Sequence, residues 1–401
     1  MKILIVNKFL YERGGADIHA IKLGPLLKKH GHQVRFYSMH YPLNIAMPDD
    51  EGFFAKEVSF FQTSPMGKLQ AAMRVFGWGI KRNYTKLLDE FCPDVVHLHN
   101  VHSYLAPLVA ALAHERSIKV VWTIHDYKML CPSYACLRNN EPCELCYTNK
   151  FNVIRHRCMK HSWCASVLAC GEALWWNKEK LSRWTDSFIC SSHFIAEKML
   201  QGGFPNEKIS VLCNFVSDEK SGYIQEIAAE KEEMAYAYIG RLSEEKGLDA
   251  LLKAAAALPY KLYVAGRGDM EAYLKQTYRS EQISFVGHLS AEGIVRLLKR
   301  VQFSVVPSVW YENNPHSAIE SLCCGTPVLG RKVGGIPELL ETSECNRSFV
   351  GDEELPTAIP RMFAQASGVD RAKLSADSCR LFSEEIYYRG WARIVAGEQV
   401  R

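Results

Sequence analysis

The chain has 401 residues, enough for two domains with sizeable hydrophobic cores. Its hydrophobic content of 48% and charged content of 23% are typical of a soluble globular protein, which excludes a disordered chain. The net charge is only +4, and no apolar run approaches the roughly 20 residues that a bilayer-spanning helix needs.

The first apolar segment, Lys2–Val6, is predicted as a buried strand and not as a signal peptide, because it is short and no small-residue cleavage site follows. The protein is therefore predicted to be cytoplasmic. Gly14-Gly15 opens a helix that runs to about Lys29, and Gly31 stops it. Further apolar strands are predicted at Gln33–Tyr37, Asp94–Leu98, Lys119–Thr123 and Ser187–Cys190. Such strands, alternating with helices, indicate a parallel sheet covered on both faces.

The alternation starts again near residue 235 and predicts a second doubly wound α/β domain. Its predicted strands are Ala235–Ile239, Lys261–Ala265, Ile283–Val286 and Phe303–Val306. Its predicted helices are Gly247–Ala257, Met270–Tyr278, Ala291–Lys299 and Pro315–Cys324. The charged stretch Asp218–Glu233 has no apolar periodicity and is interpreted as a linker, and Leu374–Ala396 is predicted to be helical.

These patterns predict an N-terminal domain over residues 1–215 with a cysteine-rich insert at about 127–170. A linker at 216–234, a C-terminal domain at 235–373 and a helix at 374–401 that crosses back to the N-terminal domain complete the prediction. Residues 1–215 hold 26 Lys+Arg and 18 Asp+Glu, a balance of +8, which leaves −4 for residues 216–401. A basic first half suits an anionic partner such as a membrane surface or a phosphate-bearing acceptor, although an ordinary surface bias explains it equally well.

The segment from Val305 to Gly330 carries the features that point to chemistry. Pro315 suits the first position of a helix, which puts Asn314 at the N-cap, and Gly325 with Pro327 ends the helix. Free N–H groups near residues 315–318 then form a phosphate-binding helix start. Glu312 precedes this helix and Glu320 lies inside it, but two glutamates eight residues apart are a weak signal by themselves.

The segment resembles the donor site of the retaining glycosyltransferase family four, which has an E-x7-E motif. The resemblance extends over nearly the whole chain. It is carried in the second half by Tyr311-Glu312-Asn313-Asn314-Pro315, Glu320, Cys324-Gly325-Thr326-Pro327-Val328, Gly334-Gly335-Ile336-Pro337-Glu338, Gly240-Arg241-Leu242-Ser243-Glu244-Glu245-Lys246-Gly247, Gly266-Arg267-Gly268 and Phe285-Val286-Gly287. In the first half it is carried by Asn7, Gly14-Gly15, His97-Leu98-His99 and Thr123-Ile124-His125-Asp126.

The resemblance implies a GT-B fold, in which two Rossmann-like domains with doubly wound parallel sheets face each other across a cleft. It also implies roles for individual residues. Four would be catalytic: Glu312 and His125 near the donor sugar, and Arg241 and Lys246 at the leaving diphosphate. The donor would further contact Gly15, Gly240, Gly266, Phe285, Val286, Asn314, Pro315, His316, Ser317 and Glu320, with Glu320 on the ribose and Phe285 and Val286 at the base. The chemistry needs no metal.

Seven of the 14 cysteines lie between residues 131 and 170. Cys143 and Cys146 form a C-x2-C pair, and Cys131 and Cys158 lie 12 residues on either side. Together these four thiols match a structural zinc site that would fold an otherwise loop-like insert. A set of reduced thiols without metal is the alternative, since the chain shows no export signal.

Aromatic and basic residues are mixed in the stretch from Phe53 to Arg82. Its aromatic and Met residues are Phe53, Phe54, Phe60, Phe61, Met66, Met73, Phe76 and Trp78. Such a segment suits an anionic membrane interface, but an ordinary pair of packed helices explains it equally well.

The leading prediction is transfer of a sugar from a UDP or GDP carrier to a glycan or lipid-diphosphate-linked glycan acceptor in cell-surface polysaccharide synthesis. A nucleotide-sugar epimerase on the same fold and an inactive sugar-nucleotide-binding partner remain alternatives. An oxidoreductase is disfavoured because no G-x-G-x-x-G follows Gly14-Gly15. No nucleic-acid partner is expected.

Overall fold

The computed structural model describes residues 1–61 and 64–400 and divides them into two compact units. The first unit comprises the described residues of 1–136, 143–212 and 388–400. The second comprises residues 137–142 and 213–387. Among the described residues, no helix combines the length and the apolar character needed to cross a membrane.

Residues 1–212 alternate between strands and helices. The strands are β1 (Lys2–Val6), β2 (Gln33–Tyr37), β3 (Val95–Leu98), β4 (Lys119–Ile124), β5 (Leu137–Arg138), β6 (Glu141–Pro142), β7 (Ser187–Cys190) and β8 (Ile209–Val211). The helices are α1 (Gly15–Lys29), α2 (Pro65–Val75), α3 (Lys81–Phe91), α4 (Leu108–His114), α5 (Asn152–Arg155), α6 (Trp163–Trp175), α7 (Lys178–Trp184) and α8 (His193–Gln201). Short 3-10 turns lie at Glu51–Phe53 and Asn206–Lys208.

Residues 213–400 continue the alternation. The strands are β9 (Ala235–Ile239), β10 (Lys261–Ala265), β11 (Ile283–Gly287), β12 (Ser304–Val306), β13 (Val328–Arg331) and β14 (Arg347–Phe349). The helices are α9 (Asp218–Glu226), α10 (Leu248–Ala256), α11 (Glu271–Thr277), α12 (Ala291–Arg300), α13 (His316–Cys323), α14 (Ile336–Leu340), α15 (Leu355–Ala366), α16 (Arg371–Leu381) and α17 (Glu384–Ala396). Short 3-10 turns lie at Glu244–Lys246 and Asp352–Glu354.

Each unit contains a six-stranded parallel sheet. The strand order is β2-β1-β3-β4-β7-β8 in the first and β11-β10-β9-β12-β13-β14 in the second. Along β9, Tyr236 and Tyr238 pack into one hydrophobic cluster, whereas Ala235 and Ala237 pack into another. Since alternate side chains of a strand point to opposite faces, both faces of this sheet are covered. The predicted pair of doubly wound α/β domains is confirmed.

Two segments differ from the sequence-based expectation. The stretch Asp218–Glu233, predicted as a linker, begins with the helix α9, because the Ser217 side chain caps its N-terminus and Ile224 is buried on it. The predicted single helix over Leu374–Ala396 is two helices, α16 and α17. They are separated at Phe382-Ser383, where the Phe382 carbonyl accepts a hydrogen bond from Val216 N at 2.9 Å.

Candidate active site

The second unit has its topological switch point between β9 and β12, which lie side by side although β10 and β11 intervene in the chain. Loops that leave neighbouring strands at such a point diverge to opposite faces of the sheet and leave a crevice for ligands. The loop after β9 carries Arg241 and Lys246, and the loop after β12 carries Glu312. The structure thus brings three residues that the sequence predicted as catalytic to one place in the fold.

Lys246 and Glu312 form the central contact of this place. Lys246 Nζ donates to Glu312 Oε1 at 2.5 Å, and Ser308 Oγ donates to the same oxygen at 2.6 Å. Glu312 is only 7% exposed. Burial acts to raise the pKa of Glu312, but the Lys246 ammonium together with the hydrogen bonds from Lys246 and Ser308 outweighs it and holds that pKa below its usual value. Glu312 is therefore a carboxylate at neutral pH.

Glycine turns fix the backbone on both sides of this pair. Gly335 N donates to the Glu312 carbonyl at 2.6 Å, and a Cβ on Gly334 would lie 2.3 Å from that same oxygen. Gly334 also has φ +62°, which favours glycine. Beside Lys246, a Cβ on Gly247 would lie 2.2 Å from the Pro307 carbonyl. The loops after β9, β12 and β13 are therefore packed backbone against backbone.

Gly240 and Gly266 pack in the same way at the neighbouring strand ends. Gly240 N donates to the Ala265 carbonyl, and a Cβ on Gly266 would lie 1.9 Å from the Gly240 carbonyl. The Arg241 side chain is 54% exposed and pairs with Glu245 at 3.3 Å. The Arg241 guanidinium thus pairs with Glu245 and still remains accessible to an anion.

The helix α13 starts one residue later than expected. Pro315 is its N-cap and not its first helical residue, because Pro315 has an extended ψ of 119°. The predicted N-cap, Asn314, is instead bound to Asn214: Asn214 N donates to Asn314 Oδ1 at 2.9 Å, and Asn214 Nδ2 donates to the Asn314 carbonyl at 2.8 Å. Asn314 Nδ2 is buried and has no hydrogen-bond partner among the described residues.

Three predicted donor contacts lie on α13 itself. His316 and Ser317 are half-buried in its first turn. Burial lowers the pKa of His316, which is therefore a neutral imidazole at pH 7. Glu320, one turn further, forms an ion pair with Lys220 on α9. Lys220 was missed because its segment was interpreted as a linker; a Ser217 N-cap followed by two acidic residues is the sequence signal that marks this helix.

Phe285 and Val286 lie on β11, the edge strand of the second sheet. Phe285 is half-buried against the core, whereas Val286 is exposed. These two residues therefore do not lie on the loops after β9 and β12 that carry Lys246 and Glu312.

The remaining predicted site residues, Gly15 and His125, belong to the first unit. Gly15 is the exposed first residue of α1, where backbone N–H groups are free of helical partners. His125 follows β4, and its Nε2 lies 2.9 Å from His99 Nδ1. His19 packs edge-on against the His125 ring at 5.2 Å.

Two further histidines of this region, His97 and His99, are buried in the first unit. His97 stacks on His99 with ring centroids 4.5 Å apart. Trp391 Nε1 donates to His97 Nδ1 at 3.1 Å, and His97 Nε2 lies 2.8 Å from Thr123 Oγ1. Burial lowers the pKa of His97 to about 3 and that of His99 well below its usual value. Both imidazoles are therefore neutral over the physiological range.

The predicted zinc site is not supported. The described residues contain no group of three or more Cys, His, Asp or Glu side chains arranged to hold a metal ion. The Cys131 thiol hydrogen-bonds with those of Cys136 and Cys146, so it is paired with a cysteine that the prediction left out. Of the predicted ligands, Cys143 and Cys158 are half-buried, and none of the 14 cysteines forms a disulfide bond.

Two family models match consecutive parts of this chain. The family model described as Glycosyltransferase Family 4 matches residues 13–220, and the model described as Glycosyl transferases group 1 matches residues 220–366. The chain therefore belongs to glycosyltransferase family 4, and the protein is a glycosyltransferase.

The individual proteins described next resemble this chain at low sequence identity. The chain is 25% identical to an uncharacterised 42.6 kDa protein of the cps region of Klebsiella pneumoniae, over 84% of this chain and 87% of that one. It is 27% identical to the amylovoran biosynthesis glycosyltransferase AmsK of Erwinia amylovora, over 49% of this chain and 53% of that one. Among solved structures, Anabaena Alr3699/HepE in complex with UDP and glucose superposes with a TM-score of 0.64 at 17% identity, covering 99% of both chains. These likenesses establish the GT-B fold.

Proposed function

We propose that this glycosyltransferase transfers a sugar, with retention of anomeric configuration, from a nucleotide-diphosphate donor to a glycan or lipid-linked glycan acceptor. The observation that carries the proposal is the buried Lys246–Glu312 pair at the switch point of the second sheet. A lysine there neutralises the charge that develops on the leaving diphosphate, and the exposed Arg241 adds a second cation. No metal is required, because the two cations and the start of α13 supply the positive field.

Glu312 and Glu320 then have different tasks and are not a matched acid–base pair. Glu312, at the crevice, is proposed to contact the donor sugar near its reacting carbon, and Glu320, on the helix, the ribose hydroxyls. His125 is proposed as a further sugar contact, with Gly15 at the phosphates. The base is proposed to lie at Phe285 and Val286.

The biological setting is proposed from relatives. One belongs to a cps region and another to amylovoran biosynthesis, and the superposed Anabaena protein was crystallised with UDP. We therefore propose UDP or GDP as the carrier and cell-surface polysaccharide synthesis as the process, with the enzyme in the cytoplasm and peripheral to the membrane.

The donor class is tested with a panel of UDP- and GDP-sugars, by thermal shift and by release of the nucleoside diphosphate. Binding of none of them would contradict the donor assignment. Once a donor is found, the proton NMR coupling of the anomeric hydrogen in the product reports the stereochemistry. An inverted configuration would reject retention, and conversion of the donor to its epimer without acceptor would favour the epimerase alternative.

A further inference from the structure

An apolar stripe runs along the exposed side of α2 in the first unit. Met66, Leu69 and Met73 are exposed at i, i+3 and i+7 of this helix, and Phe76 continues the row at i+10. Residues at these spacings share one face of a helix. The opposite side is buried through Ala71, Arg74 and Val75.

A second apolar stripe lies on α6, in the cysteine-rich part of the chain. Trp163, Val167 and Leu174 are exposed at i, i+4 and i+11, and Trp175 extends the row. Trp175 is 53% exposed, whereas the adjacent Trp176 is buried. Conversely, Phe54 of the predicted interface segment is buried.

Two contacts join the stripes into one surface. Just before the helices, the Lys160 ammonium lies 3.9 Å from the centroid of the exposed Phe61 ring. At their other ends, Phe76 and Trp175 meet edge to face at 5.9 Å, and Trp176 Nε1 donates to the Val75 carbonyl at 2.8 Å. These contacts place the C-terminal ends of α2 and α6 against each other and Lys160 beside Phe61. We call these eight side chains the α2–α6 surface: Met66, Leu69, Met73, Phe76, Trp163, Val167, Leu174 and Trp175.

Basic residues outnumber acidic ones in the sequence around the α2–α6 surface. Residues 58–88 contain Lys68, Arg74, Lys81, Arg82 and Lys86 and no Asp or Glu. Residues 145–171 likewise have basic side chains and no acidic ones, namely Lys150, Arg155, Arg157 and Lys160. All of these cations are exposed except Arg74, which is buried on the opposite side of α2, and Lys150, which is half-buried. A contiguous apolar patch of this kind is uncommon on a monomer and marks an interaction site.

We propose that the α2–α6 surface docks the enzyme on an anionic lipid bilayer. Tryptophan, methionine and leucine side chains insert into the headgroup region, and the surrounding lysines and arginines bind lipid phosphates. A protein partner or a second copy would suit the apolar side chains, but an anionic surface also matches the exposed lysines and arginines of these two segments. This extends the peripheral location proposed above by naming its surface, and it does not depend on the transfer reaction.

The test is flotation of the purified full-length protein with vesicles. We expect flotation with vesicles of phosphatidylglycerol and phosphatidylcholine, and at least tenfold weaker binding to phosphatidylcholine alone. Leu69→Ser with Trp163→Ser removes two exposed apolar side chains and should lower binding tenfold or more. The matched control is Met234→Ser with Leu381→Ser, two side chains 49% exposed in the second unit, which should float like the wild type.

Charge is tested separately. Lys68→Glu with Lys160→Glu should weaken binding to anionic vesicles at least tenfold, whereas Lys253→Glu with Lys373→Glu, exposed on α10 and α16, should not. Recovery of the wild type in the soluble fraction at low salt, or equal flotation of all variants, overturns the proposal. So does a dimer in sedimentation equilibrium that the Leu69/Trp163 variant abolishes in the absence of lipid binding. Nucleotide release measured without vesicles should be unchanged in every variant, which separates this test from that of sugar transfer.

Discussion

The strand ends of the two units bury different kinds of polar group. In the first unit, β3 and β4 end in imidazoles: His97 and His99 are stacked, and His99 contacts His125. In the second, the loops after β9 and β12 bury a lysine against a carboxylate, Lys246 against Glu312. Neutral imidazoles tolerate burial without a counter-charge, whereas each ion of the pair depends on its partner. The first unit is thus sensitive to acid, and the second to the loss of one charge.

The largest effect is expected from breaking the charge pair. Glu312→Gln and Lys246→Ala should each lower the rate of transfer roughly hundredfold to thousandfold, because charge stabilisation at the reacting bond is lost. Initial rates with saturating donor measure this, and circular dichroism checks the fold. Asp377→Asn, which breaks the exposed pair with Arg380 on α16, is the control and should be near normal. Normal turnover of either site variant would exclude the proposed roles.

We expect a smaller loss of kcat, roughly tenfold to hundredfold, when the backbone at Glu312 is displaced. Gly334→Ala adds a Cβ that would lie 2.3 Å from the Glu312 carbonyl, so that the loop must shift. Gly31→Ala is the matched control: its φ is +79°, but no atom lies within 4 Å of the added Cβ. Both variants share backbone strain, and only the first should lose kcat. Equal kcat values would mean that the close approach has no role in positioning Glu312.

Glu320→Gln should act mainly on donor binding. Weaker hydrogen bonds from the ribose hydroxyls to the amide than to the carboxylate should raise the KM for the donor about tenfold and change kcat less. Lys220→Met breaks the same ion pair but keeps the carboxylate. If Glu320 were only structural, both variants would lose thermal stability and neither would change KM, and this is the outcome to look for against the proposal.

The smallest expected effect concerns the acid sensitivity of the first unit. Because burial lowers the pKa of His97 to about 3, the unfolded chain binds a proton there below about pH 6.5 and the folded chain does not. The free energy of unfolding should therefore fall with decreasing pH, by at most about 1.4 kcal/mol per pH unit for each such histidine. The pKa values of His99 and His102 are lowered in the same direction.

His97→Gln should remove one histidine's share of this slope between pH 6.5 and 5. Urea unfolding followed by tryptophan fluorescence measures it, since seven of the eight tryptophans lie in residues of the first unit. His114→Gln, at an exposed position, is the control. An unchanged slope in the His97 variant would mean that this imidazole is protonated in the folded state.

Much of the fold was predictable because its strands are continuous apolar runs between helices. Lys2–Val6, Gln33–Tyr37, Ser187–Cys190 and Ala235–Ile239 are strands with the predicted bounds. The short strands β8, β13 and β14 were not predicted. The start of α13 was misplaced because the competing bonds of Asn314 come from Asn214, 100 residues away.

The candidate site was predictable in its residue types but not in its pairings. The order of the motifs predicted that Arg241, Lys246 and Glu312 belong to one site. Nothing in the local sequence indicates that Lys220 pairs with Glu320. The exposed stripe on α6 was missed for a similar reason. Which side of a helix remains exposed depends on the helix packed beside it, and here that helix is about 100 residues earlier in the chain.

The residues after Tyr388 have a consequence for synthesis on the ribosome. Trp391 contacts His97, and Val211 N donates to the Val400 carbonyl at 2.8 Å, so the first unit is assembled from segments nearly 300 residues apart. The contacts of Trp391 and Val400 with the first unit form only after these residues have left the ribosome. The last residue of the second unit, Tyr387, is synthesised before them. A nonsense mutation or a disruptive tag near residue 390 should therefore damage the unit that was begun first.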